Sequence, residues 1–258
     1  MVTVDFDRDS IASSNGTLAL ELTAERREDE RLCRAPRLPP ASMLCGMRAL
    51  TYFVEVDSAS CGIQLFDDAC RAYFRNRLFE SIKRHSSQLH AYALLADHAW
   101  LLVSISSHWP LASLIGQVQD AYLIYFNQRF RRSSRRLRFY SALCRVEGER
   151  VVRECYRYIE QRPLKVGESE LLGDIEWSSY PSNAFGHAGS GLVRHGCLES
   201  LGSDELGSLA RYRSFVAQPL DPLCERYLDV ALHERSNIEE RNLNPAITEA
   251  FERGQSYS

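Results

Sequence analysis

Lysine is nearly missing from this 258-residue chain. Of 31 basic side chains only Lys83 and Lys165 are lysine, so arginine carries almost all the positive charge. A base-composition bias in the encoding genome suffices to produce that skew, and where the arginines cluster is the more informative feature. Also missing is any Cys-x-x-Cys pair among the eight cysteines (33, 45, 61, 70, 144, 155, 197 and 224), which excludes a zinc ribbon and a thioredoxin motif and leaves buried thiols as the expectation. No apolar run approaches the roughly 18 residues that span a bilayer, and the N-terminus is acidic where a secretory signal is basic. A soluble cytoplasmic protein with no membrane partner is therefore expected. At 45% hydrophobic and 25% charged the composition is globular, which sets aside disorder, collagen and coiled-coil arrays.

The formal charge of -3, taken alone, argues against a nucleic-acid partner. Its distribution argues the other way. Residues 127–165 hold 12 basic and 4 acidic side chains, a net +8, so the other 219 residues carry -11, much of it in 1–32 and 199–258. Within the basic segment, Arg129, Arg131, Arg132, Arg135, Arg136 and Arg138 interleave with Phe130, Phe139 and Tyr140. Guanidinium groups alternating with rings suit phosphate contact plus base stacking, so these arginines are candidate DNA contacts, with a solvated loop as the alternative.

The pattern along the chain is α+β. Ala49 to Val56 is β-branched and aromatic and reads as a strand; Asp67 to Arg84 has apolar residues at helical spacing. Leu89 to Leu95 and His98 to Ile105 read as a hairpin or one bulged strand, Leu111 to Phe130 as a second helix, and Leu143 to Val146 as a short strand. Arg150 to Gln161 is a third helix, expected to stop before Pro163. Leu206 to Val216 and Pro222 to Glu234 are again helical. This divides the chain into a flexible acidic extension (1–32), a main domain (33–180), and a linker with a C-terminal helical tail (181–258).

The segment Leu89-His-Ala-Tyr-Ala-Leu-Leu-Ala-Asp-His-Ala-Trp-Leu-Leu-Val103 resembles the signature strand of the single-tyrosine HUH transposases, especially the REP-associated tyrosine transposases, whose pattern runs His-Ala-Tyr-Val-Leu-Met-Pro-Asn-His-Val-His-Leu-Leu. Six further stretches are similar to family motifs in the same order: Arg34 to Pro40, Phe66-Asp67-Asp68, Tyr125-Phe126-Asn127-x-Arg129, Cys155-Tyr-Arg-Tyr-Ile-Glu160, Trp177-Ser-Ser-Tyr180 and Tyr212-Arg-x-Phe215.

The resemblance implies a ferredoxin-like antiparallel sheet with helices on one face and a C-terminal helical extension. It implies two histidines on one strand holding a divalent metal, and a tyrosine attacking a DNA phosphate to form a 5′-phosphotyrosine link during DNA transposition and recombination. Positions i and i+2 of a strand share a face, so His-x-His can present two imidazoles to one ion, and the weakly nucleophilic phenol needs that electrophilic help. Transferred by position, Tyr158 is the nucleophile and His98 the first metal ligand. Trp100 stands where the second histidine is expected, and its indole offers a donor but no lone pair to a metal. Arg162 stands where a Gln or Asn ligand is expected. Gln161 is the candidate substitute ligand; Asp97, beside His98, is expected to point the other way.

Three readings follow. One is an active transposase using Tyr158, with His98 and a replacement ligand holding Mg²⁺ or Mn²⁺. Another is a DNA-binding descendant with a degenerate active site, which binds single-stranded or hairpin repeat DNA with impaired or lost strand cleavage and needs no cofactor. The third is a protein-interaction domain that has also lost DNA binding. Both a monomer and a dimer are compatible with each.

Overall fold

Alternation along β1 (Leu50–Asp57) organises the sheet. Val54 and Val56 face one side, with Leu50 and Tyr52 packed beside them, while Phe53 faces the other. The computed structural model describes residues 49–58, 67–105, 111–131, 139–174, 176–186, 191–202 and 204–243, all within one compact unit, Met47–Ser258. The acidic extension 1–32 and the Arg34 to Pro40 motif lie outside the described residues. After β1 come α1 (Asp68–Arg84), β2 (Gln88–Leu94), β3 (His98–Ile105), α2 (Leu111–Arg129), β4 (Tyr140–Glu147) and α3 (Glu149–Lys165). Then follow α4 (Tyr180–Phe185), α5 (Glu205–Ala217), α6 (Pro222–Glu234) and the two-residue β5 (Ile238–Glu239).

The strand order is β2-β3-β1-β4-β5. The first four strands are antiparallel, the ferredoxin-like order, and β5 adds in parallel to β4, making the sheet mixed. The α+β class is as expected. The helices are not confined to one face. α1 and α2 pack through Phe74, Leu78, Leu114, Val118 and Tyr122 on the Val54 side. α3 to α6 pack on the Phe53 side through Cys155, Tyr156, Tyr212, Cys224 and Leu228. The physical reason is the second apolar face of the sheet: Ala91, Ala93, Leu102, Ala142 and Cys144 on that side would otherwise be open to water. The helices read from the sequence as a C-terminal tail thus belong to the same core.

Local chemistry sets the boundaries. Asp67 caps α1 by accepting the Cys70 N–H at 2.9 Å, and Asp221 caps α6 ahead of Pro222. α3 runs through Pro163 to Lys165 rather than stopping before it. Proline removes one N–H, but the Val166 and Glu168 N–H groups close the last turn on the Arg162 and Pro163 carbonyls at 3.1 and 2.9 Å. β4 is longer than Leu143 to Val146 because Thr51 to Asp57 of β1 pairs along its whole length. Cys70, Cys144, Cys155, Cys197 and Cys224 are buried thiols, as expected; Cys33, Cys45 and Cys61 lie outside the described residues.

Candidate functional site

The β1–β3 register sets Asp57 opposite His98 and Glu55 opposite Trp100. His98 and Trp100, two residues apart, share the sheet face that α3 covers, and their rings stack at 5.0 Å and 8°. The Trp100 indole N–H donates to Glu55 Oε1 at 3.1 Å. His98 Nδ1 lies 2.9 Å from Asp97 Oδ1, and its Nε2 lies 3.7 Å from Asp57 Oδ1. Asp97 therefore reaches His98, contrary to the strand parity argument, because it sits in the β2–β3 turn and not on the strand.

Tyr158 enters from α3 with its ring edge-on to Phe53 at 5.2 Å and to Trp100 at 6.4 Å. It is 2% exposed. Its hydroxyl donates to Asp229 Oδ1 on α6 at 2.6 Å. Arg162, one helical turn further, lies 4.3 Å over the Tyr158 ring and 5.1 Å over the Trp100 ring, and bonds to Glu225 at 3.2 Å and Asp229 at 3.4 Å. Burial pushes the Tyr158 phenol well above the ordinary range; Arg162 opposes that rise and the bond to Asp229 adds to it. Burial also raises the Glu55 carboxyl, against the pull of His98 and the Trp100 indole. A cleft of about 350 Å³ opens here between Glu55, Asp57, His98, Tyr140, Asp229 and His233.

Chemically this is an anionic cleft beside a protonated, carboxylate-bound phenol. A phosphate entering it meets the Glu55, Asp57 and Asp229 carboxylates beside His98 and His233, and the guanidinium over Tyr158, that of Arg162, is already paired. The residues do not fit a divalent metal. Trp100 has no lone pair to give, Arg162 is a permanent cation, and the Gln161 amide is committed elsewhere. Gln161 Nε2 donates to the Val216 and Gln218 carbonyls at 2.6 and 2.7 Å, and its Oε1 accepts the Leu220 N–H at 3.4 Å. Among the described residues no group of three or more His, Cys, Asp or Glu side chains is placed to hold a metal ion.

Of the six candidate DNA-contacting arginines, Arg129 and Arg131 are described, and Arg132, Arg135, Arg136 and Arg138 lie outside the described residues. Arg129 Nη2 pairs with Asp67 at 2.7 Å and its Nη1 donates to the Tyr125 hydroxyl at 2.7 Å. Arg129 ends α2, across the sheet from Tyr158. No helix among the described residues is long and apolar enough to cross a membrane.

Sequence reasoning missed Asp229 and Glu55. Nothing in the chain marks Asp229, which lies 71 residues from the tyrosine it binds. Glu55 did carry a signal: it shares strand parity with Phe53, a carboxylate on an inward face. His90 and His195 show no sequence relation, yet their rings meet at 5.0 Å.

No family model and no curated protein matches the sequence. Among solved structures, the chain is similar to a REP-associated tyrosine transposase bound to a REP hairpin, with 15% identity and a TM-score of 0.44 over 57% of this chain and 86% of that one, a distant structural relationship.

Proposed function

We propose that the chain is a transposase-like DNA-binding protein that holds single-stranded or hairpin DNA without cutting it. The seven ordered motifs and the +8 segment of residues 127–165 support the DNA-binding half. One observation carries the non-cleaving half: the Tyr158 hydroxyl is buried and bonded to Asp229 beside an anionic cleft. A phenol attacks phosphorus only after losing its proton, and every neighbour but Arg162 opposes that loss. Binding in this reading needs no metal.

The test incubates labelled, hairpin-flanked single strands with the protein and Mg²⁺ or Mn²⁺. Affinity is expected to fall steeply with salt and to be unchanged by a chelator, with no covalent adduct on a denaturing gel. An adduct that disappears in Tyr158→Phe overturns the reading in favour of an active transposase. Absence of any salt-dependent affinity overturns it in favour of a protein-interaction domain.

A further inference from the structure

On the sheet face opposite Tyr158, α1 and α2 hold a row of rings and guanidinium groups. The Tyr73 and Tyr125 rings stack across the helix pair, 4.0 Å apart and 7° from parallel. Arg77 lies over Tyr73 at 5.4 Å, and Arg129 lies 5.9 Å from the Tyr125 ring and 5.5 Å from that of Phe130. Phe130 leans on Phe126 at 4.7 Å and keeps 37% of its surface exposed. Tyr73, Arg77 and Arg84 fall at i, i+4 and i+11, one stripe of α1. The row therefore runs from Arg84 at one end of α1 to Arg131 beyond the far end of α2, about 25 Å for a helix of this length. That span suits on the order of four nucleotides of extended strand.

Charge divides across the sheet in the same sense. Residues 67–84 and 111–131 carry seven basic and four acidic side chains, whereas 149–165 and 204–243, on the Tyr158 side, carry ten basic and eleven acidic. Arg157, Arg162 and Lys165 are each bonded to a carboxylate. Arg71, Arg77 and Arg129 pair with Glu168, Glu80 and Asp67, while Arg75, Lys83, Arg84 and Arg131 have no carboxylate partner among the described residues.

Resting on the DNA-binding reading, we infer that single-stranded DNA docks along the α1–α2 face, so that the binding surface and Tyr158 lie on opposite sides of the sheet. Arg84 and Arg131 take phosphates at the two ends, the stacked tyrosines fix the spacing between the helices, and the exposed part of the Phe130 ring takes a base. A strand held there is shielded from the Tyr158 hydroxyl by the sheet itself.

The experiment measures anisotropy of a fluorescein-labelled oligo-dT of about 20 nucleotides against salt, with a hairpin duplex as the second probe. Arg84→Glu and Arg131→Glu are each expected to weaken oligo-dT binding about tenfold and to flatten the salt dependence. Phe130→Ala is expected to weaken it about tenfold with the salt slope unchanged, because a stack and not a charge is lost. Arg226→Glu, the same charge change on exposed α6, is expected to stay within about twofold. All four sites are exposed, and unchanged thermal melting checks that the variants fold. Equal or larger loss in Arg226→Glu, or full affinity in Arg131→Glu and Phe130→Ala, overturns this placement while leaving DNA binding intact. Binding of the duplex but not of oligo-dT overturns the single-strand assignment. Absence of salt-dependent binding to either probe overturns the DNA-binding reading itself.

Discussion

The Tyr158 hydroxyl on α3 donates to Asp229 Oδ1 on α6 at 2.6 Å, tying the motif helix to the C-terminal helices. Tyr158→Phe and Asp229→Ala are each expected to lose about 1 kcal/mol of stability, because a net hydrogen bond to a charged but half-exposed carboxylate is modest. The double variant is then expected to lose less than the two singles together, with a coupling of about 1 kcal/mol read from urea denaturation midpoints. Strict additivity would mean that the pair contributes nothing.

Trp100 and Arg162 occupy the positions that the family resemblance assigns to metal ligands, so restoring donors tests the reading of a degenerate site. Trp100→His combined with Arg162→Gln places a second imidazole two residues from His98 and removes the cation above it. Calorimetric titration with Mn²⁺ is expected to show binding in the double variant and none in the wild type. The exchange has a stability cost of about 2–4 kcal/mol, since the indole is 3% exposed and a smaller ring leaves a void beside the Tyr158 and His98 rings.

What the sequence revealed of the fold follows its periodicities. Alternating β1 and the 3.6-residue spacing of α1 and α2 are local patterns, and they sit where expected. β5 is two residues long and pairs in parallel with β4, which no local pattern announces. The partner of α6 was equally hidden. Its buried Cys224, Leu228 and Leu232 declare an amphipathic helix but not which surface it covers. The site divided in the same way. His98, Trp100 and Tyr158 were placed by motif and strand parity, while Asp229 and the commitment of Gln161 to the chain after α5 arise from long-range packing.

Gly148, the residue before α3, has φ of 110°, a conformation that side chains rarely adopt. A Cβ there would also collide with the Glu240 side chain, whose Oε2 accepts the Arg150 N–H at 3.2 Å. Gly148→Ala is therefore expected to destabilise by about 2 kcal/mol or more, from backbone strain and a displaced cap together. Glu240→Ala in the same background is expected to recover part of that loss in thermal melts, by removing the clash and leaving only the strain.

His90 ends a hydrogen-bond chain whose direction is set by its two backbone termini. The Cys197 N–H donates to His195 Nδ1, so His195 offers Nε2–H to Thr51 Oγ1. Thr51 donates to Ser104, Ser104 to His90 Nε2, and His90 Nδ1–H to the Val193 carbonyl. Both imidazoles are neutral in this arrangement, and burial depresses His90 to about 4. Below the ordinary value of 6.5 the unfolded chain takes up a proton that the folded one refuses. Stability is then lost as pH falls from 6.5 to about 4, by about 3 kcal/mol in all, and levels off beneath that. His90→Gln is expected to remove this contribution, so that its urea denaturation midpoint gains on the wild type as pH falls from 6.5 to about 4; a difference between the two that does not change with pH would remove His90 as a source of acid loss.

Glu160 slopes the other way over nearly the same window. Its Oε1 accepts from Ser179, Asn183 and Tyr212 at 2.9, 3.0 and 2.8 Å, while Oε2 has no hydrogen-bond partner among the described residues, and burial lifts the carboxyl to about 7. Between the ordinary 4.5 and about 7 the folded chain keeps a proton that the unfolded one has released. The contribution is complete below pH 4.5 and is lost as pH rises to about 7, again by about 3 kcal/mol. The Glu160 and His90 slopes therefore oppose each other between pH 4.5 and 6.5. Glu160→Gln keeps the three-donor acceptor but cannot ionise. Relative to the wild type its stability is expected to climb with pH across that interval, whereas a Glu160→Gln profile parallel to the wild type would show that this carboxyl does not titrate on folding.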